Sequence, residues 1–227
     1  MPGKSSAARS HAAVFALLGS ASAMCLALVL GRSAFSHTSH FQFLVWNLFL
    51  AWVPLVLAAV IYRVATRRGD LARLIIVPAA IVWLLFFPNA LYIVTDFVHL
   101  GQFHDNVPGW FDVMLIAWYA WTGLLLGVVS LRLMQEIAAR AAGNIAGWLL
   151  VVFVTAAGSV GIYFGRFLRW NSWQVFQAPG SLLHRALGGA EGPDVDVRFL
   201  GFSALFAALF LFVYLAVYLL GSGRDRA

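Results

Sequence analysis

Hydrophobic residues form six long runs along the chain, separated by short polar segments. The runs cover residues 12–31, 41–62, 71–95, 110–131, 145–167 and 197–221. Each is close to the roughly 20 residues that an α-helix needs to cross a bilayer. Backbone polar groups in hydrocarbon must pair within their own segment, so these runs are predicted to be helices. The pattern therefore predicts an all-α fold, a polytopic transmembrane bundle of about six helices.

Composition also favours a membrane environment. Hydrophobic residues make up 62% of the 227 positions and charged residues 11%, whereas a soluble domain has roughly 45–50% and about 25%. The formal net charge is +6, but the basic residues are scattered through short loops and form no continuous patch. The lipid bilayer is therefore the expected partner, and nucleic acid is not. Cys25 is the single cysteine, which excludes an internal disulfide.

The distribution of lysine and arginine predicts the orientation. Ten of them lie on the side that carries both termini and five on the opposite side. Basic residues are enriched in cytoplasmic loops, so the tails at 1–11 and 222–227 are predicted to be cytoplasmic. The bundle then occupies residues 12–221, with a long outer loop at 174–196.

The first hydrophobic run also has features of a secretory signal. Lys4 and Arg9 precede it, and the small residues at 21–23 imitate a cleavage site. However, the run continues to Leu30, whereas the apolar region of a signal has about 7–15 residues. A retained helix is favoured, with a cleaved signal as the alternative.

The outer end of the third run carries the first candidate site. After Pro88, the residues Asn89, Tyr92, Asp96 and His99 follow at spacings of three, four and three, which places them on one helix face. Asp96 and His99 are predicted as a catalytic acid–base pair or as ligands of a divalent metal. Two ligands do not complete a metal site, so the cofactor stays unknown. The alternative is that Asp96 only orients His99 or caps a helix end.

The second candidate site lies at the outer end of the fifth run, in residues 165–173. Arg166 and Arg169 are helical neighbours and form a fork suited to phosphate or carboxylate, of which anionic lipid headgroups are the nearest source. The alternative is ion pairing with Asp96 and Asp112, because an unpaired charge at the membrane boundary is costly. The predicted substrate-binding residues are Asn47, Asn89, Tyr92, Asp112, Arg166, Arg169 and Asn171.

Asn47 is the polar residue of the second run. It lies six residues inside that run, roughly 9 Å deep by helix rise. A buried amide needs a partner on another helix, so a role in holding helices together is favoured over a role in a site.

Three motifs, taken in order, resemble a known family. They are residues 46–51 (Trp-Asn-Leu-Phe-Leu-Ala), residues 87–90 (Phe-Pro-Asn-Ala) with the polar stripe that follows, and residues 166–173. Together they resemble the family defined as domain of unknown function 1361, over roughly 41–220. The resemblance implies a multi-pass protein of the bacterial inner membrane and implies no activity.

Three functions stay open at this point. An enzyme would use the outer polar residues on an anionic lipid or envelope precursor. A transporter or channel component would need ionisable residues across the membrane, and few occur in the inner halves of the runs. A non-catalytic scaffold or assembly factor would use the aromatic belt and the outer loop as a contact surface. The oligomeric state is left open.

Labelling of introduced cysteines checks the orientation. Gly3→Cys and Arg224→Cys should resist a membrane-impermeant thiol reagent in intact cells, because both positions are predicted to be cytoplasmic. Gln102→Cys and Gly189→Cys should react. The reverse pattern contradicts the predicted orientation. A mature protein that lacks its N-terminal segment would establish the cleaved signal and leave five spanning helices.

Overall fold

The structure is a computed structural model that describes residues 3–66, 70–102, 106–167 and 193–222. These residues form six α-helices and one 3₁₀ helix, and they include no β-strand. The elements are α1 (Gly3–Ser36), α2 (Phe43–Ala65), α3 (Asp70–Tyr92), the 3₁₀ helix (Ile93–His99), α4 (Gly109–Ala142), α5 (Asn144–Phe167) and α6 (Pro193–Ser222). By length and composition, the described residues contain six stretches that can cross a membrane. The predicted all-α bundle of six helices is confirmed, and the protein is a membrane protein.

The helices alternate in direction, and the polar contacts between them show which ends meet. Arg32, near the end of α1, contacts Asp112 in the first turn of α4. Asn47, near the start of α2, and Arg166, in the last turn of α5, both contact Asp96 of the 3₁₀ helix. The ends of α1, α3 and α5 therefore meet the starts of α2 and α4 at one face. We call this face the outer end, after the predicted orientation.

The central helix is α4. It packs against each of the other five helices and against the 3₁₀ helix, and most of its membrane-length stretch is buried. A buried hydrogen-bond chain joins it to two neighbours: the indole of Trp83 donates to the Ser130 hydroxyl (2.8 Å), which donates to the carbonyl of Pro54 (3.0 Å). α1 and α6 lie at the periphery, since α1 packs mainly against α4 and α6 mainly against α5.

α4 extends well beyond residue 131, where its hydrophobic run ends. The extension buries Leu133 and Met134 and carries charge pairs one turn apart, in which Glu136 contacts Arg132 at 3.6 Å and Arg140 at 3.3 Å. With 34 residues the helix is about 51 Å long, more than the roughly 30 Å of a hydrocarbon core. It ends at Gly143, whose φ of 91° suits glycine.

Glycines of α4 and α5 let the end of α3 approach closely. A Cβ atom at Gly123 would lie 2.6 Å from the backbone oxygen of Ala90, and one at Gly161 would lie 2.9 Å from the ring of Pro88. Helices in a membrane gain from such contact because small residues allow their backbones to pack closely. α3 is thus seated against both neighbouring helices just before the 3₁₀ helix begins.

The backbone remains α-helical through Pro88 and changes only after Tyr92, where the 3₁₀ helix starts. Asn89 donates its side-chain amide to the carbonyl of Phe86 (3.0 Å) in the turn that contains the proline. In a 3₁₀ helix, side chains three residues apart eclipse each other. Asp96 and His99 are therefore brought to the same side of this helix.

Substitution at Gly123 tests the close packing. Gly123→Ala should lower the stability of the purified protein by about 1–3 kcal/mol, as overpacking typically does, because the methyl group meets a backbone oxygen. Gly19→Ala in α1 is the control, since no atom lies within 4 Å of the position that its new methyl group would take. The control should be neutral or slightly stabilising. Thermal unfolding in detergent measures both variants, and equal effects would contradict the packing argument.

Candidate functional site

Five polar side chains from four elements meet at the outer end. This outer polar cluster consists of Asn47, Tyr92, Asp96, His99 and Arg166. Asp96 is at its centre and is fully buried (0% exposed). The amide of Asn47 donates to its Oδ2 at 2.9 Å, and Nη1 of Arg166 lies 3.2 Å from its Oδ1. The cluster therefore joins α2, the 3₁₀ helix and α5 through one carboxylate.

The guanidinium of Arg166 is held in one position by the 3₁₀ helix and the residue before it. Nη1 donates to the Tyr92 hydroxyl at 3.0 Å, and Nη2 donates to the carbonyl of Thr95 at 2.6 Å. The guanidinium carbon also lies 5.2 Å from the centre of the Tyr92 ring, which is a cation–π distance. A charge fixed in this way is ready to act on a bound anion without first being reoriented.

One oxygen of Asp96 has no hydrogen bond in the described part of the protein. Oδ1 is close to Arg166, but the contact does not have hydrogen-bond geometry. A buried acceptor without a donor costs about 1–3 kcal/mol and more when it is charged. The cluster therefore pairs the charge of Asp96 without satisfying all its hydrogen-bonding capacity.

His99 is a partly exposed member of the cluster. Its side chain is 24% exposed, compared with 14% for Arg166 and 0% for Asp96. Nδ1 lies 3.2 Å from the carbonyl of Asp96 and 3.9 Å from its Oδ1. The ring packs against Phe43 with centroids 4.8 Å apart. His99 therefore connects the buried carboxylate with the outer surface.

Asp112 is paired with Arg32, not with an arginine of α5. The pair is bidentate, from Nε at 2.7 Å and Nη2 at 3.1 Å, and Arg32 is 2% exposed. Arg32 also packs against the Phe41 ring at 4.4 Å. The sequence analysis does not single out Arg32, which contributes there only as one of the basic residues that predict the orientation. Its position one turn before the end of an apolar helix could have indicated an ion pair, because a charge there needs a counter-ion.

The other predicted site residues are placed less centrally or are not described. The side chain of Asn89 serves its own helix backbone. Arg169 and Asn171 lie outside the described residues, so an arginine fork stays a prediction. For the metal, no group of three or more His, Cys, Asp or Glu side chains comes together among those described. Asp96 and His99 form a pair without a third ligand in that part of the chain.

The formal charge of the cluster determines what it can bind. Asp96 and Arg166 cancel, and His99 adds nothing when neutral and one positive charge when protonated. The outer polar cluster therefore carries no net negative charge, and with a protonated His99 it would favour an anion over a cation. A ligand with a group that accepts or donates a proton could also exchange that proton with the imidazole of His99.

A double-mutant cycle tests the ion pair. Arg166→Gln should destabilise the protein by about 3–5 kcal/mol, because it leaves a buried carboxylate unpaired. Asp96→Asn should be milder, since Arg166 keeps two acceptors, and combining both changes should restore part of the loss. Additive losses in thermal unfolding would show that the two residues are not coupled. Arg140→Gln is the control: its pair with Glu136 is exposed, and such pairs contribute about 0–1 kcal/mol.

Comparison with known proteins places the chain in a family. Residues 46–217 match the family model described as Protein of unknown function (DUF1361). No curated protein and no solved structure matches the chain. The matched segment contains all five residues of the outer polar cluster, whereas Arg32 of α1 precedes it. Since the match covers well over half of the chain, this membrane protein belongs to the DUF1361 family.

Proposed function

We propose that the outer polar cluster is an acid–base site at which the protein acts as an enzyme on an anionic lipid or envelope precursor. The observation that carries the proposal is the buried Asp96, paired with Arg166 at 3.2 Å, beside the partly exposed His99. Ionisable residues inside membrane-spanning segments are costly and are found mainly at functional sites. A buried carboxylate that is costly in the membrane, next to an imidazole that can transfer a proton, is an arrangement that acid–base catalysis uses.

In this proposal His99 is the catalytic residue that meets the substrate. Its imidazole accepts or donates a proton at the outer surface, the usual role of histidine near neutral pH. Asp96 has no exposed surface, so it acts through His99. Nδ1 of His99 lies 3.9 Å from this carboxylate and 3.4 Å from Nη2 of Arg166, so both charged groups set the electrostatic environment of the imidazole. Asp96 is thus a positioning and electrostatic residue in the same site.

Arg166 holds the anionic part of the substrate. It balances the charge of Asp96 and is oriented by Tyr92 and Thr95 before any ligand arrives. Fixed positive groups of this kind stabilise negative charge without reorganisation. Arg169 and Asn171, which follow in sequence, are proposed to complete the binding of the anion.

We further propose that the protein resides in a bacterial inner membrane with both termini in the cytoplasm. The excess of arginine and lysine on the side of the termini supports this orientation. The outer polar cluster then faces the cell envelope. An anionic lipid in the outer leaflet would reach it without crossing the membrane.

A non-catalytic scaffold is the second candidate. The observation in its favour is that the buried ion pairs join different helices, Arg32 with Asp112 and Arg166 with Asp96.

A transporter has less support. Among the side chains that the structure describes, Asp, Glu, His, Lys and Arg gather at the two ends of the bundle and do not continue through its middle.

An amide exchange separates an enzyme from a scaffold. Asp96→Asn combined with His99→Gln keeps shape and hydrogen bonding but removes the carboxylate and the imidazole. Expression should hold, and thermal stability should fall no further than in Asp96→Asn alone. The variant should nevertheless fail to complement a deletion phenotype, because an amide cannot transfer the proton. Asp96→Asn with Arg166→Gln is the stability reference, which shows that unfolding does not explain the failure. His40→Gln, at an exposed outer histidine outside the cluster, should complement fully. Full complementation by the double variant would contradict the catalytic proposal.

A further inference from the structure

An apolar groove of about 380 Å³ lies next to the outer polar cluster, between the 3₁₀ helix, the end of α5 and α6. The volume falls within the roughly 300–1,000 Å³ of small-molecule sites. Its lining consists of Val, Leu and Phe side chains, with Thr95 and Arg166 as the two polar exceptions. The carbonyl of Thr95 accepts the hydrogen bond from Arg166, so the groove and the cluster share a wall.

The groove is apolar at its deeper end and polar at its outer end. Along α6 it extends from Phe202 to Leu209, a rise of roughly 10 Å. The start of α6 lies beside the end of α5, where the Tyr163 and Phe199 rings are 4.9 Å apart, so Leu209 is the deeper residue. Arg166, in the last turn of α5, lies at the outer end. This polarity matches a lipid whose headgroup points outward.

The groove opens sideways into the region of the membrane. Val98 and Leu205 on its rim are 59% and 75% exposed, whereas Phe206 in its floor is 7% exposed. Both rim residues belong to stretches long and apolar enough to span a bilayer. A molecule entering the groove from the side would therefore come from lipid and not from water.

We propose that this groove binds one acyl chain of an anionic glycerophospholipid and places its phosphate beside Arg166. Arg166 is the charged residue among the described lining, and its sign complements a phosphate. The cluster has no net negative charge that would repel an anionic headgroup. The inference rests on the proposed function, because it names the lipid that the same site would hold. In this proposal α6 contacts the acyl chain through Phe202, Leu205, Phe206 and Leu209.

Native mass spectrometry of the purified full-length protein tests the groove. The probes are palmitoyl-oleoyl phosphatidylglycerol and palmitoyl-oleoyl phosphatidylethanolamine, each added to delipidated protein in detergent. The wild type should bind one phosphatidylglycerol in preference to phosphatidylethanolamine, because the ammonium group of the latter offsets the phosphate charge that Arg166 complements. Leu205→Trp should weaken this binding roughly tenfold, since each buried methylene contributes several-fold to the equilibrium constant. Because Leu205 is largely exposed, the variant should still fold.

Leu219→Trp is the matched control. It makes the same change on the same helix at a position that is 67% exposed and does not line the groove, so binding should stay at the wild-type level. A further variant, Asp96→Asn with Arg166→Gln, removes both charges and leaves the apolar lining. It should bind the two lipids equally, because the headgroup has lost its partner.

Three results would overturn the inference. They are equal binding of both lipids by the wild type, equal effects of the two tryptophan variants, and a wild-type dimer that Leu205→Trp converts to a monomer. The last result would make the groove a self-association surface. A different result would contradict the catalytic proposal alone. In that case the variant with Asp96→Asn and His99→Gln complements fully, while Leu205→Trp still weakens lipid binding.

Discussion

The carboxylate of Asp96 is the constraint on which the outer end of the bundle depends. It lies within a membrane-length stretch and is fully buried, so water cannot solvate it and protein groups must do so. Those groups come from two other helices, Asn47 of α2 and Arg166 of α5. Holding both partners against one carboxylate sets the relative positions of α2, the 3₁₀ helix and α5. The arginine also donates from Nη2 to the carbonyl of Thr95 in the same 3₁₀ helix.

These contacts require helices that approach closely. Gly123 and Gly161 leave space for the backbone of Ala90 and the ring of Pro88, and a larger residue at either glycine would push α3 outward. Asp96, at the centre of the outer polar cluster, follows these contacts by about two turns. Close packing therefore places the polar atoms within reach of each other, and the ion pair and hydrogen bonds then stabilise an arrangement that packing alone would leave less specific.

The outer polar cluster has contact with two environments. His99 connects Asp96 with the outer surface, while Arg166 borders an apolar groove that opens toward lipid. An amphipathic substrate would meet both at once, its tail in the groove and its headgroup between the arginine and the imidazole. In the proposed function the groove and Arg166 bind the ligand. His99 then transfers the proton.

The sequence by itself determined the helices, because backbone hydrogen bonding in hydrocarbon is local and a run of about 20 apolar residues leaves few other structures. It also indicated the stripe from Asn89 to His99 and the need of Asn47 for a partner, since both follow from spacing and burial. It did not determine that α4 continues past residue 131, where charged residues one turn apart accompany buried ones such as Leu133 and Met134. Nor did it determine that Asp112 pairs with Arg32 and Asp96 with Arg166. Only the tertiary structure decided those pairings, because hydrophobic periodicity specifies which face of a helix is buried but not which helix lies against it.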